Sequence, residues 1–194
     1  MKNILCSLIL FISLFSFTQS DIKSKFTDDL NTMVQLTNSN EFSKLMDYTN
    51  PKLFEIAPRD QLIEIFENMI SMGIEMKGGI ARINYISDAI AFDDKIYYII
   101  YYRSSQNIKI SGQMLDGLDD MKEYFVSTLA PKAKDVRFDD KTNTFYIEDL
   151  QQIMIAESSL SSDDWFYTEY DKEDPQQAQI LEYIFPSQVL EKLK

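Results

Sequence analysis

The residues from Ile96 to Tyr102 form an unbroken run of apolar and aromatic side chains. Successive side chains of a β-strand point to opposite faces of the sheet, so this run is apolar on both sides. A strand of this kind is central and covered on both faces, or covered on one face and lining a cavity on the other. The fold must therefore be built around this strand.

Segments with helical periodicity precede the strand. Apolar residues recur at helical spacing over residues 22–37, and a third helix is predicted between Pro58 and Gly73, which suit a helix start and a helix end. Between them lies a shorter segment, Phe42 to Met46, for which Asn40 is the expected N-cap. The chain therefore begins with three helices.

After the third helix, the periodicity changes to the two-residue alternation of β-strands. Extended segments are predicted at residues 80–86, 95–103 and 107–111, with Gly78-Gly79 as a bulge or bend in the first. The last of the three alternates apolar and polar residues, so one of its faces should be wet. The elements predicted after it are a helix over 115–129, a hairpin over 135–148 with Asn143 in a left-handed turn position, strands at 152–156 and 165–170, and short helices opened by Pro175 and Pro186.

The first 20 residues have the composition of a secretory signal peptide. Lys2 precedes an apolar run from Ile4 to Phe17. This run is shorter than the roughly 20 residues of a membrane-spanning helix, although an uncleaved anchor is the alternative. Small residues predict cleavage between Ser20 and Asp21. The expected product is one secreted or periplasmic domain, residues 21–194, with no stable membrane anchor after cleavage.

Missing residue types exclude several chemistries. The chain contains no histidine, and its single cysteine, Cys6, lies in the signal segment. Ser-His-Asp and Cys-His catalytic sites, and the usual zinc, copper and iron sites, therefore cannot form. Oxygen-only Ca²⁺ or Mg²⁺ sites and acid–base chemistry by Asp, Glu, Lys or Tyr are left open, but no calcium-loop spacing occurs. We expect no metal and no cofactor.

Charge argues against one class of partner. The net charge of −12 becomes −13 once Lys2 leaves with the signal segment, and the sequence contains no basic stripe. Neutralisation of phosphates supplies most of the affinity of nucleic-acid-binding proteins, so we expect no nucleic-acid partner.

Four short motifs carry a resemblance to a known superfamily. They are Asp47-Tyr48-Thr49-x-Pro51-x-Leu53-Phe54, Asp139-x-Lys141-Thr142-x-Thr144-Phe145, Asp164-Trp165-x-Tyr167 and Ile184-x-Pro186-x-x-Val189-Leu190. Together with the order of helices and strands, they resemble the NTF2-like superfamily and the small exported proteins of that type in Bacteroidetes.

The resemblance implies a fold more than an activity. It implies an α+β domain in which N-terminal helices pack on a curved antiparallel sheet, a cone-like (NTF2-like/cystatin-like) arrangement with an apolar pocket. The helix over 115–129 and the hairpin over 135–148 are insertions relative to the shortest members. They leave the order of the strands open.

Five residues are candidates for a ligand site. Tyr85, Tyr98, Tyr101 and Tyr102 would line a pocket, although core packing explains them equally well. Arg103 would act as a buried anion clamp, or would instead mark the point where its strand emerges into water.

Three further residues have competing interpretations. Asp47 and Tyr48 are candidates for an acid–base pair. We favour the interpretation that Asp47 caps a turn and that Tyr48 packs on the sheet. Trp165 is expected to anchor the core.

These features favour a binding function over catalysis. The leading hypothesis is non-catalytic binding of a small apolar or amphipathic molecule, or of a protein partner. The alternatives are a histidine-free lyase or isomerase that uses Asp and Tyr in an apolar pocket, as the fold resemblance allows, and a homodimeric assembly module.

Overall fold

A computed structural model describes residues 19–171 and 173–193. The predicted signal segment, residues 1–20, lies outside this part of the chain except for its last two residues. Among the helices of the described part, none combines the length and the apolar character needed to cross a membrane.

The described chain is an α+β fold, as the sequence predicts. Its α-helices are α1 (Gln19–Asn38), α2 (Phe42–Leu45), α3 (Leu53–Ile56), α4 (Arg59–Met72), α5 (Leu118–Leu129), α6 (Pro175–Ile184) and α7 (Ser187–Leu190). Its strands are β1 (Ile74–Gly78), β2 (Arg82–Ile86), β3 (Ile90–Phe92), β4 (Lys95–Ile110), β5 (Asp135–Asp139), β6 (Thr144–Ser159) and β7 (Phe166–Tyr170). Short 3₁₀ turns cover Met46–Tyr48, Gly112–Gly117 and Glu191–Leu193.

One open antiparallel sheet contains all the described strands. β4 lies in its centre, with β1, β2 and β3 along one edge and β6 along the other. The outer edge of β6 pairs with β5 and then with β7. The central position predicted for Ile96 to Tyr102 is confirmed.

The two central strands are longer than predicted. The segments expected at 95–103 and 107–111 form one 16-residue strand, β4, and β6 joins the second strand of the predicted hairpin to the segment at 152–156. The register shifts between Ser104 and Gln106, and Asp149 opposite has a φ of 55°. A bulge thus absorbs the polar interruption without ending either strand, and it bends the sheet.

The helices agree with the sequence in part: α3 was not predicted, and the helix expected over 115–129 begins at Leu118, after a 3₁₀ turn. Pro58 immediately precedes α4, and Gly73 ends it with a φ of 108°. Asn40 is not the N-cap of α2: its φ is 59° and Glu41 takes the cap position. The Asn40 N–H donates to the Thr37 carbonyl, so Asn40 closes α1 in the left-handed conformation that asparagine tolerates.

Both faces of the sheet are covered near the middle of β4. On one face α1 packs against Ile100 and Tyr102. On the other face α6 and α7 pack against Tyr97 and Ile155. Beyond the bulge only one face of the sheet is covered by protein. On this face Ile108 and Ile110 are buried under α5 and the β5–β6 hairpin. The polar residues that alternate with them are exposed, which confirms the predicted wet face.

A buried carboxylate ties α1 to the sheet. Asp29 is 6% exposed and pairs with Lys25 at 2.7 Å, one turn earlier on α1. The hydroxyl of Tyr167, on β7, donates a short hydrogen bond to the same carboxylate. The pKa of Tyr167 is raised, first by burial and then by this hydrogen bond to Asp29. The arrangement fixes the position of α1 over the sheet.

A second buried carboxylate lies on β6. Glu157 is 3% exposed, and it makes a short ion pair with Lys95 at the start of β4. Asn50, itself 1% exposed, donates to the other oxygen of Glu157 at 3.2 Å. These two partners satisfy a charge that would otherwise be costly to bury.

Candidate functional site

The first element of the site is a cavity between α1 and the sheet, which we call the helix-side cavity. Its volume is about 240 Å³. Leu30, Met33 and Val34 of α1 form one wall, and Met76 and Met154 of the sheet form the opposite wall. Methionine side chains are flexible and polarisable, so a wall rich in them adapts to ligands of different shape.

Three polar side chains form the floor of the helix-side cavity. The Ser104 hydroxyl donates to Gln152 Oε1 at 2.6 Å, and Gln152 Nε2 donates to Glu169 Oε1 at 3.3 Å. The three residues lie on β4, β6 and β7, side by side across the sheet. We call this row the polar row.

The chain places the polar row on an otherwise apolar face. Gln152 lies opposite Tyr102, and Glu169 lies opposite Met154. Both partners belong to the core cluster under α1, so the polar row interrupts the surface on which that helix packs. Buried or enclosed polar groups on such a face need a specific reason.

Glu169 is the chemically distinctive member of the row. Its side chain is accessible to solvent, but the protein atoms packed around it raise the pKa of Glu169 above its ordinary value. The hydrogen bond from Gln152 opposes the rise, the charge of Asp171 adds to it, and the charge of Lys132 opposes it weakly. Among the described residues, no lysine or arginine forms an ion pair with Glu169.

The polar row also borders a second, larger cavity. β7 pairs with residues 153–157 of β6 and β5 pairs with residues 144–148, so the segment between them has an open edge. The cavity of about 760 Å³ at this edge, which we call the edge cavity, shares Tyr102, Gln152 and Glu169 with the first. Its volume falls in the range of ligand pockets, about 300 to 1,000 Å³.

Charged residues occupy the rim of the edge cavity. Lys132 pairs with Asp171 at 2.7 Å and with Glu173 at 3.4 Å. Burial is the largest single effect and lowers the pKa of Lys132, but the hydrogen bonds and charges of Asp171 and Glu173 together outweigh it and the pKa is raised. Burial likewise opposes the effect of Lys132 on Asp171, whose pKa is lowered on balance. The Lys132 carbonyl also accepts from the Gln151 N–H at 2.8 Å, which seals part of the open edge.

Three of the five predicted site residues line the edge cavity, but alternation along β4 places the rings of Tyr101 and Tyr102 on opposite faces of the sheet. Tyr85 and Tyr101 lie on paired strands, their ring centroids 5.7 Å apart, and both line the edge cavity. Tyr102 lines both cavities, and its pKa is raised by burial and by the charge of Glu169. Tyr98 does not join them, because it packs in the core against Phe26 at 5.5 Å.

Arg103 lies apart from both cavities and has an internal partner. Its guanidinium pairs with Asp149 at 2.8 Å, and Arg82 approaches the same carboxylate at 2.6 Å. The hydrogen bond from Arg103 outweighs partial burial, so the pKa of Asp149 is lowered. The anion next to Arg103 in this structure is therefore the carboxylate of Asp149.

The other three candidates, Asp47, Tyr48 and Trp165, make contacts within the fold. Asp47 pairs with Arg59 at 2.6 Å and is mostly exposed. Tyr48 packs near Tyr167, with ring centroids 6.4 Å apart. Trp165 packs edge-on against Phe26 at 4.9 Å, in the core position expected of it.

Sequence reasoning missed the polar row, although a signal for it exists. On β7, Trp165, Tyr167 and Glu169 follow each other at every second position, so alternation places Glu169 on the same face as two core aromatics. The same count along β6 places Gln152 beside Met154. A charged residue at an inward position of a strand was the available clue.

No family model matches the chain, and no curated protein matches it. Within residues 19–171 and 173–193, no group of three acidic side chains has the geometry to hold a metal ion.

Replacement of Glu169 by glutamine is expected to stabilise the free protein at neutral pH. The raised pKa means that the folded state holds the proton of Glu169 more tightly than the unfolded chain, so its contribution to stability falls as pH rises above the ordinary value of 4.5. E169Q removes this cost. We expect a gain of about 0.5 kcal/mol at pH 7.5, kept small by solvent screening, and no gain at pH 4.

Urea denaturation at the two pH values measures this effect, with E173Q as the matched control. Glu173 lines the same cavity but pairs with Lys132, so its replacement should not stabilise the protein. A loss of stability in E169Q at pH 7.5 would show that Glu169 supports the fold.

Proposed function

We propose that the protein binds a small apolar or amphipathic molecule at the polar row, without catalysing a reaction. The observation that carries this proposal is that all three residues of the polar row line the largely apolar helix-side cavity, and that Gln152 and Glu169 also border the edge cavity, which is of ligand size. The polar part of the ligand would hydrogen-bond to the row, and its apolar part would lie between α1 and the sheet.

Energetics support a role for the polar row in binding. A carboxylate that is partly desolvated and has no cation partner lowers the stability of a fold slightly, and groups with a raised pKa cluster at functional sites. The adaptable wall of Met33, Met76 and Met154 supports an apolar or amphipathic ligand. Apolar walls with a few polar groups are the general form of small-molecule sites.

The proposal includes the fold type that the sequence resembles. The bent sheet with α1 across it is compatible with a cone of the NTF2-like or cystatin-like type, with the helix-side cavity as its pocket. Export to the periplasm or the exterior remains part of the proposal, since it depends on the predicted signal segment.

Proton transfer is the second candidate, and one observation favours it. Glu169 has a raised pKa and lies next to the hydroxyl-bearing Tyr102, so it could exchange a proton with a bound substrate. Asp47 and Tyr48 do not form such a pair in the structure. Homodimerisation and binding of a protein partner remain predictions.

Native mass spectrometry of protein purified from its own host tests the binding proposal. We expect a non-covalent adduct of small mass at near one-to-one stoichiometry. The variant M33W places a larger ring in the helix-side cavity and should reduce the adduct at least fivefold. M72W is the control, because Met72 lies on α4, is 39% exposed and does not line either cavity.

Equal adduct occupancy in M33W and M72W would place the ligand elsewhere and contradict the proposal. Circular dichroism of both variants verifies that they fold. A neutral amphiphile, added to protein that carries no adduct, should produce the same difference between the two variants.

A further inference from the structure

We propose that the ligand of the helix-side cavity is an aliphatic alcohol, whose hydroxyl group accepts a hydrogen bond from Tyr102 and donates one to Glu169. This inference rests on the proposed function and names the chemical class of the ligand. It depends on a buried tyrosine hydroxyl without a partner and on the direction of the hydrogen bonds along the polar row.

Tyr102 supplies the first polar group, a hydroxyl that lacks a partner. Tyr102 is 7% exposed, packs in the core cluster under α1 and lines the helix-side cavity. In the described part of the chain its hydroxyl takes part in no hydrogen bond. The hydroxyl is not sealed inside the core either, because Thr168 Oγ1 is the one described side-chain atom that is fully enclosed and unpaired. A buried tyrosine usually bonds through its hydroxyl, so this hydroxyl is available to a ligand in the cavity.

Alternation and strand pairing place the Tyr102 side chain and the polar row on the same face of the sheet. Tyr102 and Ser104 are two residues apart on β4, and Tyr102 lies opposite Gln152 on β6. Glu169 follows Tyr167, a member of the cluster under α1, by two residues on β7. Burial and then the charge of Glu169 raise the pKa of Tyr102, yet no described hydrogen bond joins the two side chains. A small polar group between these side chains can bond to both.

The hydrogen bonds of the polar row all run towards Glu169. The Ser104 hydroxyl donates to Gln152, and the Gln152 amide donates to one oxygen of Glu169. An ionised carboxylate only accepts hydrogen bonds, and among the described residues the second oxygen of Glu169 has no donor. Tyr102 has a hydrogen to donate. The group that fits between them therefore accepts from Tyr102 and donates to Glu169, and a hydroxyl group does both.

Other head groups satisfy only one side of this pair. A carboxylate accepts but cannot donate, and it would add a second negative charge next to Glu169. An ammonium group donates but cannot accept from Tyr102, while an ether accepts but cannot donate. Lys77, which also lines the helix-side cavity, is already engaged: it donates to the Asn38 carbonyl at 2.6 Å and lies 3.6 Å from Glu75.

The walls of the helix-side cavity suit the aliphatic part of such a ligand. Leu30, Val34 and Met154 present apolar surface to it. Because an apolar cavity of about 150 Å³ is large enough to bind benzene, the volume of about 240 Å³ accommodates a single alkyl chain.

Three probes of similar size test the inference: 1-octanol, its isomer 1-methoxyheptane and octanoate. 1-Methoxyheptane keeps the oxygen as an acceptor but has no hydrogen to donate. Isothermal titration calorimetry at pH 8, which favours the carboxylate form of Glu169, should show octanol binding about tenfold more tightly than the ether, because the ether loses a hydrogen bond to a charged group. Octanoate should bind most weakly.

Two variants locate the hydroxyl group of the ligand. In Y102F the affinity for octanol should fall about fivefold. In E169Q the preference for octanol over the ether should fall below about threefold, because a neutral amide replaces the carboxylate. Y97F is the matched control: Tyr97 is a buried tyrosine of β4, 3% exposed, but it lies on the other face of the sheet and lines neither cavity. The affinity for octanol should be unchanged in Y97F.

The outcomes separate this inference from the proposed function. If the ether or octanoate binds as tightly as octanol, or if Y102F and Y97F change the affinity equally, the alcohol inference is wrong and the proposed function stands. The comparison of the three probes uses the unaltered chain, so it decides the matter even if a variant fails to fold. If none of the three probes binds, the proposed function itself fails.

Discussion

Replacement of Lys95 by methionine is expected to destabilise the protein by about 3 kcal/mol at neutral pH. The substitution leaves Glu157, which is 3% exposed, with Asn50 as its remaining partner. A buried carboxylate that loses its cation keeps the cost of desolvation without the compensating attraction. Urea denaturation followed by the fluorescence of Trp165, the single tryptophan, measures the change.

Two further variants isolate this cause. K122M is the matched control: Lys122 is 31% exposed and Lys95 is 32% exposed, but the partner Asp140 is 83% exposed, so we expect a loss of at most about 1 kcal/mol. Adding E157Q to K95M should recover at least half of the loss, because the uncompensated charge is gone. Equal losses in K95M and K122M would show that burial of Glu157 does not matter.

Replacement of Phe26 by alanine is expected to destabilise the protein by about 4 kcal/mol. Phe26 has no exposed surface, and its ring packs against three aromatic partners. The ring centroids of Tyr98, Trp165 and Tyr167 lie at 5.5, 4.9 and 6.2 Å. Because these contacts hold α1 on the sheet, the near-ultraviolet signal of Trp165 should also weaken.

Conservative and exposed replacements provide the comparison for Phe26. F26L keeps much of the volume, so we expect a loss of about 1.5 kcal/mol or less. Y124A removes a ring that is 62% exposed on α5, and we expect a loss below about 1 kcal/mol. A loss in F26A no larger than that in Y124A would contradict the packing of α1 on this face.

Much of the fold could be predicted because each element has a strong local signal. Gly73 ends α4 in the left-handed conformation, and Asn143 takes the predicted left-handed turn with a φ of 51°. The apolar run from Ile96 to Tyr102 indicated the central strand. The length of β4 and β6 was not predictable in this way, because the bulge near Ser104 depends on pairing between residues far apart in the chain.

The candidate site was harder to predict than the fold. Aromatic content indicated Tyr85, Tyr101 and Tyr102, since aromatic rings with a polar hydroxyl often line ligand sites. The polar row was missed, because Ser104, Gln152 and Glu169 are common residue types that are brought together by strand pairing alone. Local sequence also could not show that Arg103 would meet Asp149 across the bulge.

The most direct measurement of the central claim is nuclear magnetic resonance of the protein with ¹³C-labelled methionine methyl groups. On titration with 1-octanol, a neutral amphiphile, we expect shifts at Met33, Met76 and Met154, which line the helix-side cavity next to the polar row. Met72 on α4 and Met121 on α5 should not move. Shifts confined to Met72 or Met121, or saturation without any shift at the cavity methionines, would contradict a ligand site between α1 and the sheet.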